Sequence, residues 1–194
     1  DVGMDKVLKV ASQMGMDTAD LKAVPAQTLG TMGASPLQMA GVYATLDNHG
    51  VKVTPTIIKP VENSRHSVSL PEPVGGQVVS PEAADSVTSV LTGVVDDGTA
   101  KLSVRDNPNR DGRKVAGKTG SLNRQAPFLA YSWFVGVAPA DEPRIAFTVL
   151  LGRDGSGDVQ AAEDARPQRA SWLTAPGAPP PVPARGPPLF VIAR

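Results

Sequence analysis

The chain is expected to fold in the α/β (α+β) class, as an antiparallel sheet flanked by helices. Three observations lead there. Residues Ala130 to Ala138 and Arg144 to Leu151 read as strands, and the short Pro139-to-Pro143 link makes them an antiparallel hairpin. Both strands are apolar on both faces. Tyr131, Trp133, Val135 and Val137 share one side of the first strand. In the second, Ile145, Phe147, Val149 and Leu151 share one side while Ala146 and Leu150 take the other, so the sheet needs a cover on each side. Finally, three upstream segments carry helical periodicity with recognisable start or stop signals.

The first helix is set by Met4, Val7, Leu8, Ala11 and Met14 at three- and four-residue spacing, and Gly15 stops it. The methionines read as core filler. A second helix opens at Ser35, which caps free N–H groups. Pro36 suits the first helical position and Gln38 completes a capping box. Met39, Ala40, Val42, Tyr43 and Leu46 form its buried stripe, and Asn48-His49-Gly50 ends it. Val51 to Thr54 and Thr56 to Ile58 read as short strands around Pro55, followed by a polar loop from Glu62 to about Pro73. Ser80-Pro81 repeats the cap-plus-proline start. Ala84, Val87, Val90, Leu91 and Val94 are the expected stripe of a third helix, which closes near Asp97-Gly98. The Asp96-Asp97 pair there reads as a solvated turn, not a carboxylate dyad. A turn-rich stretch, Asn107 to Arg113, leads to a strand from Lys114 to Thr119.

Composition narrows the functional classes. A chain of 194 residues, 41% apolar and 20% charged, can bury a core. Its 19 basic and 19 acidic residues cancel, so it lacks the basic footprint of a nucleic-acid binder. With no cysteine and only His49 and His66, disulfides, thiol nucleophiles and Cys/His zinc sites are excluded; neither a metal nor another cofactor is called for. No run of 18 apolar residues is present to span a membrane. The chain begins at Asp1 without an initiator methionine and is expected to be a piece of a longer protein. Residues 1–153 are expected to be the structured part. Residues 155–194 hold eight of the 19 prolines, so 154–194 is expected to be a mostly disordered tail, with Trp172-Leu173 and Leu189-Phe190-Val191-Ile192 as apolar islands able to dock.

The stretch that carries chemistry is Lys118-Thr119-Gly120-Ser121, between Val115-Ala116-Gly117 and the aromatic run Ser132-Trp133-Phe134-Val135-Gly136. Alone, a K-[ST]-G triplet arises by chance in roughly one chain in ten of this length. Lys118 offers a fixed positive charge, Thr119 and Ser121 offer hydroxyls at alternate positions, and Gly120 leaves room for close approach to the backbone. Together they suit a ligand whose carboxylate lies along an edge strand.

That stretch is one of four ordered blocks. Gly33-Ala34-Ser35-Pro36-Leu37-Gln38-Met39-Ala40 continues through Tyr43-Ala44-Thr45-Leu46 to Gly50-Val51-Lys52-Val53-Thr54-Pro55. Val79-Ser80-Pro81-Glu82-Ala83-Ala84 precedes Leu91-Thr92-Gly93-Val94-Val95 and Gly98-Thr99-Ala100, and the K-T-G strand and Trp133-Phe134-Val135-Gly136 follow. Over about residues 28 to 152 this order resembles the penicillin-binding protein transpeptidase domain, and within it the C-terminal half of a β-lactamase/transpeptidase-like fold. The resemblance implies a serine D,D-transpeptidase acting on peptidoglycan stem peptides and acylated by β-lactam antibiotics, on the outer side of the cell membrane. A membrane anchor and a glycosyltransferase domain would lie elsewhere in the parent. Lys118 and Ser121 would be its catalytic positions here. Lys118 would support electrostatics and proton relay, and the Ser121 N–H would form one arm of an oxyanion hole. Thr119 and Ser121 would hold the substrate carboxylate, with Gly120 beside them.

The departures are as informative as the match. No serine in the chain has a lysine three residues later, and no S-x-N precedes Lys118. Thr56-Ile57-Ile58-Lys59 has the spacing but lies on the wrong element. Ser121-Leu122-Asn123 follows the lysine. The nucleophile is therefore expected outside this chain, which alone is expected to be inactive. A β-lactamase or β-lactam sensor sharing the strand, and a non-catalytic interaction module on a degenerate version of the fold, are the alternatives.

Overall fold

The computed structural model describes residues 2–56, 73–108, 112–123, 130–153 and 189–193. Among them are helices α1 (Met4–Gln13), α2 (Pro36–Asp47) and α3 (Pro81–Asp96). The strands are β1 (Val51–Val53), β2 (Val74–Gln77), β3 (Ala116–Asn123), β4 (Ala130–Ala138), β5 (Ile145–Arg153) and β6 (Leu189–Ala193). β1 and β2 form a small antiparallel ribbon, and the main sheet runs β3-β4-β5-β6. β3, β4 and β5 are an antiparallel meander in unbroken one-to-one register, and β6 lies parallel to β5.

Each face of the sheet has its own cover. On one side Val135, Val137 and Ala146 pack with Ala116, Tyr43, Ala44 and Val53, which puts α2 against the sheet. On the other, Phe134 and Val149 pack with Val95 and Ala100 at the end of α3. This is the two-sided arrangement expected from strands apolar on both faces. Phe134 fits because Gly117 and Gly136 lie opposite each other across the β3–β4 ladder. A Cβ on Gly117 would sit 2.6 Å from the Val135 carbonyl oxygen and 2.7 Å from the Phe134 ring.

The helix starts behave as read. The Ser35 hydroxyl accepts the Gln38 N–H at 3.1 Å and the Gln38 side chain accepts the Ser35 N–H at 2.8 Å, a complete capping box. Ser80 makes the single cap to the Ala83 N–H at 3.3 Å. After α2 the chain turns through His49 (φ 52) and Gly50 (φ 78), where any Cβ would collide with the Val79 carbonyl. His49 Nδ1 meets Asp85 Oδ1 at 2.7 Å, tying the end of α2 to α3.

Several expectations need correcting. α2 is buried nearly all round: Gly41, Ala44, Thr45 and Asp47 join Ala40 and Tyr43, whereas Leu46 is only half-buried. α2 packs on the sheet, on β1 and on α3 together, so one stripe could not describe it. In α3, Val87 and Val90 point outward at 43% and 71% exposure. Its inward line is Ala84, Thr88, Leu91 and Val95, where i, i+4, i+7 and i+11 spacing keeps one face on the sheet. β2 and the π-helical turn Lys101–Arg105 were not anticipated, and β3 starts at Ala116, two residues later than expected, and runs to Asn123. One expectation concerning the tail is met: at Leu189–Ala193, where an apolar island able to dock is expected, the chain is a strand paired to β5. The strand expected at Thr56–Ile58, the polar loop, His66 and Trp172-Leu173 fall wholly or largely outside the described residues.

Candidate functional site

The K-T-G-S stretch lies in the middle of β3, on the edge of the main sheet. Alternation along a strand separates its side chains. Lys118 and Gly120 stand on the α2 side, in line with Val135 and Trp133; Thr119 and Ser121 stand on the α3 side, in line with Phe134 and Ser132. Lys118 and Ser121 are exposed, while Thr119 and Gly120 are half-buried. All four are therefore reachable from the open edge.

The Lys118 ammonium donates to the Thr119 carbonyl at 2.8 Å. A carbonyl reached by this side chain faces the open edge, away from β4. Backbone groups alternate in direction along an antiparallel strand, and the register from Ala116 to Asn123 has no bulge. Two residues on, the Ser121 N–H points outward as well. Gly120 has a packing role besides its openness: a Cβ there would press to 3.3 Å from the Trp133 Cβ.

One neighbour escaped the sequence reading. Thr99, in the turn after α3, places its hydroxyl 2.7 Å from the Thr119 hydroxyl. Nothing in the spacing of residues 99 and 119 signals this contact, which exists only because α3 packs along β3. The other polar candidates are structural. Ser35 is a cap, and Asp97 is an exposed carboxylate with Arg105 at 3.5 Å and Lys101 at 3.7 Å. Among the described residues no three His, Asp or Glu side chains gather as a metal-binding group.

A second feature missed from the sequence is Asp47. It is 7% exposed, neither carboxylate oxygen has a hydrogen-bond partner among the described residues, and burial pushes its carboxyl up to about 8. It lies on the buried length of α2, apart from the K-T-G edge.

The edge strand thus presents an ammonium, two hydroxyls and outward amides along the open side of the sheet. The chain belongs to the penicillin binding protein transpeptidase domain family, whose model matches residues 1–168. Penicillin-binding protein 2D of Bacillus subtilis is 31% identical over 175 residues, covering 88% of this chain and 24% of its own length. PbpB of Mycolicibacterium smegmatis is 34% identical over 172 residues, covering 81% and 26%. The crystal structure of the D,D-transpeptidase domain of a peptidoglycan glycosyltransferase from Eggerthella lenta superposes with a TM-score of 0.61 at 25% identity. That match covers 89% of this chain and 48% of the Eggerthella chain. The chain thus spans about a quarter of the curated relatives it matches and about half of that solved domain.

Proposed function

We propose that this chain is the C-terminal part of a peptidoglycan D,D-transpeptidase that binds penicillin and cross-links stem peptides through a serine acyl-enzyme. The observation that carries this is Lys118-Thr119-Gly120-Ser121 on an open sheet edge, in a chain of the transpeptidase family. The serine belongs to a part of the protein outside this chain. Its oxygen attacks the carbonyl between the two terminal D-alanines of a stem peptide, and the C–N bond breaks to release D-alanine. An amine of a second stem peptide then takes the acyl group, and the serine regains its proton.

In this scheme the residues of β3 form one wall of the cleft. The peptide adds along the edge, its carboxylate meets the Thr119 and Ser121 hydroxyls, and the Lys118 ammonium lowers the cost of bringing that charge in. The outward Ser121 N–H is one donor to the oxygen that becomes negative in the tetrahedral intermediate. The same wall accepts a β-lactam, whose ring amide and carboxylate occupy the equivalent positions. The proposed parent acts outside the cytoplasmic membrane, where its substrate is assembled. A membrane anchor and a glycosyltransferase domain are proposed for other parts of it. Residues 1–153 are proposed as the partial transpeptidase domain and 154–194 as a proline-rich appendage, although the family match continues to 168.

A fluorescent penicillin tests the proposal. The complete parent should label stoichiometrically, Lys118→Ala in it should lower the acylation rate by at least about a hundredfold, and the 194-residue chain alone should not label. Normal acylation of Lys118→Ala would remove the site assignment. Labelling of the isolated chain would show that its nucleophile is present here after all.

A further inference from the structure

We propose that Thr99 is a positioning residue for Thr119, setting the direction of its hydroxyl proton toward a ligand carboxylate; this rests on the transpeptidase reading above. The contact is short, 2.7 Å between the two hydroxyl oxygens, and joins a turn to the K-T-G strand across 20 residues.

The turn that carries Thr99 is held on both sides. Gly98 comes so close to the end of α3 that a Cβ would meet the Val94 carbonyl oxygen at 2.7 Å. Ala100 is fully buried and donates its N–H to the Val94 carbonyl at 3.1 Å, and the Lys101 N–H donates to Gly98 at 3.1 Å. Thr99 is exposed between these anchors, so its side chain reaches the edge from a fixed backbone.

Hydrogen-bond arithmetic then assigns the roles. A threonine hydroxyl has one proton and two lone pairs. At 2.7 Å one of the two protons occupies the bond between them. If Thr119 supplied it, Thr119 would present only lone pairs to an arriving carboxylate, which is itself acceptor-only. If Thr99 supplies it, the Thr119 proton is free to face outward, and accepting a bond makes Thr119 the stronger donor. A carboxylate ligand therefore selects the order Thr99 to Thr119 to carboxylate. A neutral ester, which lacks the charge, gains far less from that order.

The test uses the complete parent and separates the dissociation constant of the initial complex from the acylation rate constant, with benzylpenicillin and its methyl ester as probes. Thr99→Val, which keeps the shape and removes the hydroxyl, should raise the benzylpenicillin dissociation constant about fivefold and leave the rate constant unchanged. Thr99→Ser should restore wild-type binding, and the ester should not distinguish the variants. Adding Thr99→Val to Thr119→Val should cost nothing further, because the two hydroxyls act as one chain. Equal losses for acid and ester, additive losses with Thr119→Val, or no loss in Thr99→Val would each overturn the role. Should the valine variant not fold, Thr99→Ala against Thr99→Ser decides the same point. A wild-type parent that is not acylated at all defeats the transpeptidase reading and this role with it. Normal wild-type acylation with an indifferent Thr99→Val defeats this role alone.

Discussion

The two faces of the sheet are stabilised by different means. On the α3 face, Phe134 is fully buried, its ring centroid lies 5.8 Å from that of Phe147, and Val95, Ala100 and Val149 close around it. On the α2 face the packing holds polar groups. The Thr45 hydroxyl donates to Gly41 and accepts the Val53 N–H, a satisfied pair. Thr148, which faces the same way as Val135, has a fully buried hydroxyl with no partner among the described residues, and Asp47 on α2 has two such oxygens. Apolar packing is complete with whatever carbon the chain supplies, whereas a buried polar group is stable only when its particular partner arrives. Among the described residues, the α2 side is the one that carries unpaired buried polar groups.

The largest expected effect tests the carbon-built face. Phe134→Ala should destabilise the chain by about 3–5 kcal/mol, read as a lower urea midpoint with little change in slope. A cost below about 1 kcal/mol would mean that face is not packed as described.

Asp47 comes next. Its folded carboxyl is raised to about 8 by burial, above the 3.8 of an exposed aspartate, so the folded state holds the proton more tightly. Stability is then greatest below the lower value and falls as pH rises through the window between the two. Between pH 5 and the folded value the loss is on the order of 4 kcal/mol. Asp47→Asn should flatten this dependence when unfolding is followed from pH 5 to about 8.5. An unchanged slope in the variant would remove Asp47 as its origin and with it the polar half of the comparison.

The smallest effect concerns the anchoring of the two covering helices. Ser35→Ala should cost about 1 kcal/mol, since it breaks the reciprocal box on α2, and Ser80→Ala should cost less, since it loses one longer bond. The opposite order, measured by urea denaturation, would show that α3 depends more on its cap than α2 does.

What the sequence revealed follows from the range of the signal. Ser35-Pro36 with Gln38, and the alternation from Tyr131 to Val137, are local patterns, and both elements formed as read. β2 is Val74-Gly75-Gly76-Gln77, a poor strand by composition that exists because it pairs with β1. Thr99 could be placed next to Thr119 only after α3 had been packed on β3. Nothing in the local pattern marks Asp47 as buried, because the sequence does not record that α2 is covered on several sides. The strand bearing the K-T-G motif was legible; the depth of its surroundings was not.

The parallel pairing of β6 bears on the order in which the fold assembles. Ala138 and Ile145 face each other across the β4–β5 hairpin, 145 − 138 = 7 residues apart, while Ile145 and Leu189 are 189 − 145 = 44 apart. Closing the longer loop costs about 1.6 kcal/mol more in chain entropy. The β3–β5 meander therefore has the cheaper nucleus, and adding β6 carries the higher closure cost.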